Sequence, residues 1–145
     1  MSDSSIISTD LVELDVDFGS DTTEVITNLA KVVADAGRAT DAEGLAKDVL
    51  ARESKAATGV PGGVAIPHCR SASVTEPTLA FARLKNPVDF GGPDGAANLV
   101  FMIAAPDGAG KAHLKILSKL ARNLVRKEFI EALRGAATKE ELVEL

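Results

Sequence analysis

The chain has 145 residues, 46% hydrophobic and 26% charged, which predicts one globular domain with a true core. Its single cysteine excludes an internal disulfide and favours a cytoplasmic location. The net charge of −5 argues against nucleic-acid binding, which depends on clustered Lys and Arg. The longest apolar run, Leu99 to Pro106, is too short to span a bilayer, and the N-terminus lacks a signal-peptide pattern.

The first elements in chain order are a short strand and a helix. The segment Asp10–Asp15, "DLVELD", predicts the strand. Asp21 and Glu24 then form a capping box, and Gly37 is a suitable C-cap, so a helix is expected between them. The apolar residues that would line its inner face are Val25, Leu29, Val32, Val33 and Ala36.

A second helix and a short strand follow. Thr40 with Glu43 predicts another capping box, ahead of a helix that reaches Arg52. Three glycines and a proline then interrupt the chain: Gly59, Pro61, Gly62 and Gly63. The apolar segment Val64–Ile66 predicts a strand that ends just before His68.

The second half predicts two strands and two helices. Thr78–Leu84 and Asn98–Ala105 are apolar enough for strands, and the second is typical of a strand buried on both faces. A helix begins at Ala112, and Thr138 with Glu141 opens a last short one. The helix from Ala112 would turn Leu117, Leu120, Ala121 and Leu124 inward and Lys115, Lys119, Arg122 and Arg126 outward. The fold class is therefore α/β, with a mixed, mostly parallel sheet flanked by helices on both faces.

Sites in such sheets lie where strands end and helices begin, which selects two places. One is His68, and the other is the loop from Pro106 to Ala112, "PDGAGKA", which leads into the helix that contains His113. The loop is not a nucleotide-binding P-loop. That motif needs glycine at position 105 and a hydroxyl at 112, and both positions are alanine.

The chemistry of His68 leaves few options. Two histidines without a Cys pair or acidic cluster are too few ligands for a zinc site, so no metal is expected. Cys69 would point away from His68 on an extended chain, which argues against a Cys–His dyad, and no G-x-S-x-G sequence occurs. Either His68 is an ordinary polar loop residue, or it is itself a nucleophile, since an unperturbed imidazole is mostly neutral near pH 7.

The segment "TGVPGGVAIPH", which ends at His68, resembles the active-site signature of enzyme IIA domains of the bacterial sugar phosphotransferase system, in the fructose–mannitol class. Two further blocks are similar to the family in order and spacing. "LARESKAATG" aligns Arg52 with the functional arginine of the family, and "HLKILSKLARNL" opens with its second histidine at His113. Together with the α/β pattern, the three blocks extend the resemblance over most of the chain.

The resemblance implies a role for each aligned residue. His68 would accept phosphate from the phosphocarrier HPr and pass it to a cysteine on an enzyme IIB domain. Arg52 would pair with the phosphate oxygens, which a planar guanidinium suits, and His113 would support the transfer across the site. No cofactor is implied, and a IIA domain does not contact the sugar. From the residues alone, Arg52 at a helix C-terminus also fits a structural role.

The pathway that the chain serves is less well defined by its residues. We expect residues 1–145 to form one IIA domain, either free-standing or as the N-terminal domain of a longer permease with IIB and membrane IIC domains. Fructose is the expected sugar, and His113 favours a sugar-transporting member. A regulatory, nitrogen-type phosphorelay protein is the alternative. The residues assign no role to Cys69, and Glu53 has at most that of orienting its neighbour Arg52.

Overall fold

The computed structural model of the protein describes residues 7–55, 58–60, 63–92, 95–106 and 112–143. The strands in these ranges are Val12–Val16 (β1), Gly59–Val60 (β2), Val64–Ala65 (β3), His68–Ser71 (β4), Thr78–Gly92 (β5) and Gly95–Pro106 (β6). The α-helices are Thr22–Asp35 (α1), Ala42–Glu53 (α2), Ala112–Leu124 (α3), Lys127–Gly135 (α4) and Lys139–Val143 (α5), and a 3-10 turn at Thr9–Leu11 precedes β1. The predicted α/β class is confirmed.

The described strands form one six-stranded sheet in the order β1-β5-β6-β3-β2, with β4 also paired to β6. The pairs β1–β5, β3–β6 and β4–β6 are parallel, whereas β2–β3 and β5–β6 are antiparallel. The mixed, mostly parallel sheet is confirmed. The two strands expected at Thr78–Leu84 and Asn98–Ala105 are longer than predicted, because they extend toward each other as a long antiparallel hairpin.

Strand β6 lies inside the sheet and is the centre of the core. From Leu99 to Ala105 every residue is buried, so both faces of the strand are covered, as predicted. Phe101 meets Phe81 of β5 in a tilted ring pair with centroids 4.7 Å apart. The sheet therefore gives a rigid base for the segments that pair along the edges of β6.

The first helix begins as predicted, and the second begins one residue later. The carboxylate of Asp21 accepts a hydrogen bond from the backbone N–H of Glu24 at 2.8 Å, which confirms the first cap. The predicted cap at Thr40 is wrong, since Asp41 accepts from the Glu43 N–H at 3.1 Å. The Thr40 N–H instead donates to the carbonyl of Ser73 at 2.7 Å, which ties this turn to the segment after β4.

The C-terminal helices differ from expectation in two respects. The buried stripe of α3 follows Ile116, Leu120 and Leu124, at a spacing of four, while Ala121 is exposed; its predicted inward position was wrong. Helix α4 was not predicted, and it buries Phe129 and Leu133. The last helix was predicted correctly, and its Glu141 N–H donates to the Thr138 hydroxyl at 3.1 Å.

Candidate functional site

His68 begins strand β4, where the sequence predicted a loop. Strands β3 and β4 pair with the same edge of β6 in one continuous register, with Ala65 opposite Val100 and His68 opposite Ile103. Pro67 lies at the break between them, and its carbonyl accepts from the Ile103 N–H at 3.0 Å. The strand is interrupted rather than ended, because proline lacks the N–H that a ladder would use. The imidazole is therefore attached to a firmly paired backbone.

The imidazole of His68 is half-buried and has a defined orientation. Its Nδ1 lies 2.8 Å from the carbonyl oxygen of Ile66. A carbonyl can only accept, so Nδ1 is the nitrogen that donates a proton, and Nε2 has the lone pair in the neutral ring. Burial alternates along β4 and places Cys69, 7% exposed, on the core side.

Helix α2 contributes a second wall, facing β4. Asp48, Arg52 and Lys55 are four and three positions apart, a spacing that keeps them on one side of a helix and its continuation. The hydroxyl of Ser71, in β4, donates to Oδ2 of Asp48 at 2.5 Å and ties the helix to the strand. This contact holds α2, with Arg52 in its last turn, against the strand that begins at His68.

Together β4 and α2 enclose a cleft of about 550 Å³. Its lining residues are Asp48, Ala51, Arg52, Lys55, His68, Cys69 and Arg70. Three of the charged side chains are cationic and only Asp48 is anionic, in a chain whose net charge is −5. The cleft therefore favours an anion beside the imidazole.

Two of the cationic residues were missed by the sequence analysis. Arg70 is two positions after His68, so on an extended strand it lies on the same side. Lys55 is three positions after Arg52, which puts it on the same side of the helix as the arginine. Both spacings could have been recognised once the strand and helix had been predicted around them.

The structure gives His113 a place in the fold but describes only its backbone. This residue is the second of α3, which follows β6, and β6 ends with Pro106 opposite Ser71 of β4. Its side chain lies outside what is described, as do residues 107–111 of the loop between Pro106 and Ala112. The expectation that His113 faces His68 stays a prediction.

Within the described part of the chain, no cluster of three or more His, Cys, Asp or Glu side chains is arranged to hold a metal ion. None of the helices in the described ranges is both long enough and apolar enough to cross a membrane.

Comparison with known proteins identifies the family. The sequence model described as "Phosphoenolpyruvate-dependent sugar phosphotransferase system, EIIA 2" matches residues 5–145. The chain belongs to this family. The resemblance to EIIA domains is thereby confirmed, and membership of this family implies a phosphotransferase role for the chain.

Individual relatives of this EIIA domain are named as fructose-specific components or as nitrogen regulatory proteins. It is 40% identical over 122 residues to the fructose-specific EIIABC component of Bacillus subtilis, covering 83% of this chain and only 19% of that protein. It is 41% identical over 113 residues to the fructose-specific EIIA component of Haloferax volcanii, covering 77% and 73%. The nitrogen regulatory protein IIA-Ntr of Neisseria meningitidis has a similar structure, with a TM-score of 0.86 and 32% identity, covering 95% of this chain and 94% of that one.

Proposed function

We propose that the protein accepts a phosphoryl group from phospho-HPr on Nε2 of His68 and passes it to a cysteine of an enzyme IIB domain during sugar uptake. The observation that supports this most strongly is the pairing of an oriented imidazole with a cationic cleft. Nδ1 is hydrogen-bonded to the Ile66 carbonyl, so Nε2 is the nitrogen left to act as the nucleophile. Arg52, Lys55 and Arg70 line the cleft around it.

Phosphoryl transfer to His68 requires little more than an oriented imidazole and the cationic side chains around it. A bond forms between Nε2 and phosphorus as the bond from phosphorus to the histidine of HPr breaks, so the phosphoryl group changes nitrogen. Phosphoryl transfer depends mainly on positioning and on stabilising the charge of the equatorial oxygens. The guanidinium of Arg52 suits two of those oxygens at once, and His113 supports the transfer from the helix that follows β6.

The proposed partners have support among the relatives. The Bacillus subtilis relative is named as an EIIABC component, a form in which EIIA is part of a longer protein. We propose that the present domain likewise acts with IIB and membrane IIC domains, attached or separate. The domain itself would take no part in sugar binding.

Fructose is the proposed sugar, because two relatives at 40% and 41% identity are named as fructose-specific. One specific observation favours a second candidate. The chain is 35% identical over 128 residues to the nitrogen regulatory protein of Pseudomonas aeruginosa, covering 88% of this chain and 83% of that protein. A regulatory phosphorelay is therefore the alternative. The two functions are distinguished by adding fructose, purified IIB and IIC-containing membranes to the chain after phospho-HPr has phosphorylated it. The transport function predicts that fructose phosphate forms. The regulatory function predicts a phosphorylated chain and no sugar product.

The proposed site is tested by incubating the chain with phosphoenolpyruvate, enzyme I and HPr. We expect one phosphate per chain, labile in acid and stable in base as phosphohistidine is. His68→Ala should incorporate none, whereas the neighbouring control Cys69→Ala should be labelled like the wild type. Full labelling of His68→Ala would remove His68 from its proposed role.

A further inference from the structure

The structure contains a run of hydrogen bonds that leads from Glu53 to the imidazole of His68. Oε2 of Glu53 accepts from the backbone N–H of Thr58 at 3.0 Å, and Oε1 accepts from the hydroxyl of Thr58 at 2.7 Å. The Thr58 carbonyl accepts from the Ile66 N–H at 3.1 Å. The Ile66 carbonyl is in turn the partner of His68 Nδ1. Together these contacts connect Glu53, at the end of α2, through Thr58 and Ile66 with the imidazole ring of His68.

The register of strands β2 and β3 shows which backbone hydrogen bond Glu53 replaces. Strands β2 and β3 are antiparallel, with Gly59 opposite Ala65, so Thr58 lies opposite Ile66. The bond from the Ile66 N–H to the Thr58 carbonyl marks this as a position where two residues normally exchange both backbone bonds. The reciprocal bond would run from the Thr58 N–H to the Ile66 carbonyl. In its place the Thr58 N–H donates to Glu53, and the Ile66 carbonyl accepts from His68.

We infer that Glu53 is a positioning residue: by taking up the Thr58 N–H, it reserves the Ile66 carbonyl for Nδ1 of His68. This keeps the proton on Nδ1 and presents Nε2 to the cleft. Thr58 is only 7% exposed, so water does not readily replace the carboxylate as the partner of its N–H. The consequence for phosphoryl transfer rests on the proposed function of His68, whereas the consequence for the ring itself does not.

The test uses the full chain labelled with ¹⁵N-histidine, with no phosphotransferase partner present. Spectra are recorded in mild base, at about pH 8.5, and the two imidazole nitrogen shifts report which atom is protonated. His68→Ala assigns the signals, because the chain has only two histidines. The variant is Glu53→Ala, and the matched control is Glu43→Ala, which removes an exposed carboxylate from the other end of the same helix.

We expect Nδ1 to be the protonated atom in the wild type and in Glu43→Ala. In Glu53→Ala the Thr58 N–H is released to compete for the Ile66 carbonyl, so the two His68 shifts should move toward a mixture of tautomers. Glu53→Gln should restore the wild-type shifts, because its amide oxygen accepts from the N–H while its amino group donates to the Thr58 hydroxyl. Phosphorylation by phospho-HPr should slow about tenfold in Glu53→Ala, since the nucleophilic nitrogen is no longer held toward the cleft.

Wild-type shifts in Glu53→Ala, or equal changes in Glu43→Ala, overturn the inference. An unchanged phosphorylation rate despite altered shifts also overturns the role of Glu53 in the transfer. If Glu53→Ala does not fold, Glu53→Asp replaces it: its carboxylate is one methylene shorter, and unchanged His68 shifts would again contradict us. If the shifts change as expected but wild-type His68 takes no phosphate, the proposed function fails while the positioning of the ring by Glu53 stands.

Discussion

Arg83 of β5 binds the carboxylate of Asp15 through two hydrogen bonds, from Nε at 2.8 Å and from Nη2 at 2.9 Å. Asp15 lies at a bulge in β1 with a φ of 55°, a left-handed conformation that aspartate tolerates better than most residues. Nη1 of Arg83 donates to the carbonyls of Leu133, Arg134 and Ala136, at the C-terminal end of α4. One side chain thus joins β1, β5 and α4.

Replacing Arg83 should therefore destabilise the fold without touching the cleft. The Arg83 side chain is only 10% exposed, and in Arg83→Met three carbonyls and a carboxylate lose their donor. We expect the free energy of unfolding to fall by about 2–4 kcal/mol, measured by urea denaturation. Arg122→Met, at an exposed position on α3, is the control and should change it by less than about 0.5 kcal/mol.

The same pair predicts how stability depends on pH. The hydrogen bonds that Arg83 donates to Asp15 lower the pKa of the Asp15 carboxyl below its ordinary value of 3.8. The folded state then binds fewer protons than the unfolded state, so the contribution is fully present above pH 3.8 and is lost as pH falls through the lower folded value. In urea denaturation from neutral pH downward, the stability difference between wild type and Asp15→Asn should stay constant above about pH 5 and shrink below pH 3.8. A difference that grows in acid would contradict this sign.

Arg52→Lys tests whether the guanidinium fork matters beyond its charge. Lysine keeps the cation but offers a single point of contact, so the equatorial oxygens lose a bidentate partner. We expect phosphorylation by phospho-HPr to slow about tenfold in stopped-flow measurements. Lys115→Arg, on the exposed surface of α3, controls for a Lys–Arg exchange elsewhere. Wild-type rates in Arg52→Lys would return Arg52 to a structural role at the end of α2.

His113→Ala tests whether His113 supports the transfer while His68, the proposed nucleophile, carries the phosphoryl group. The variant should still accept phosphate from HPr, but transfer it to IIB about ten- to a hundredfold more slowly, as expected for one lost hydrogen bond to a charged group. Single-turnover phosphorylation and dephosphorylation measure the two steps separately. A His113→Ala protein that is inert to HPr, beside a His68→Ala protein that still labels, would reverse the two roles.

Much of the fold could be predicted because local signals agreed with tertiary packing. The cap at Asp21 and the uniformly apolar β6 are examples, since each depends on its own residues and immediate neighbours. The cap at Thr40 was misplaced because Ser73, far along the chain, engages its backbone. Helix α4 was missed although Phe129 and Leu133 have helical spacing, because it follows α3 with almost no loop between them.

The sequence selected two residues of the candidate site and missed others that surround them. His68 and Arg52 follow from short motifs, and the structure places both in one cleft. The sequence could not show that β4 resumes after Pro67, because the pairing of His68 with Ile103 joins residues far apart in the chain. For the same reason Glu53 was considered only as a neighbour of Arg52, when its bonds are to Thr58.

The central claim is that the phosphoryl group is bonded to Nε2 of His68. The direct measurement is NMR of the phosphorylated, ¹⁵N-histidine-labelled chain in base, where coupling between ³¹P and ¹⁵N identifies the bonded nitrogen. The orientation of the ring predicts coupling to Nε2 of His68, with Nδ1 still protonated toward the Ile66 carbonyl. Coupling to Nδ1 of His68, or to either nitrogen of His113, would contradict the account.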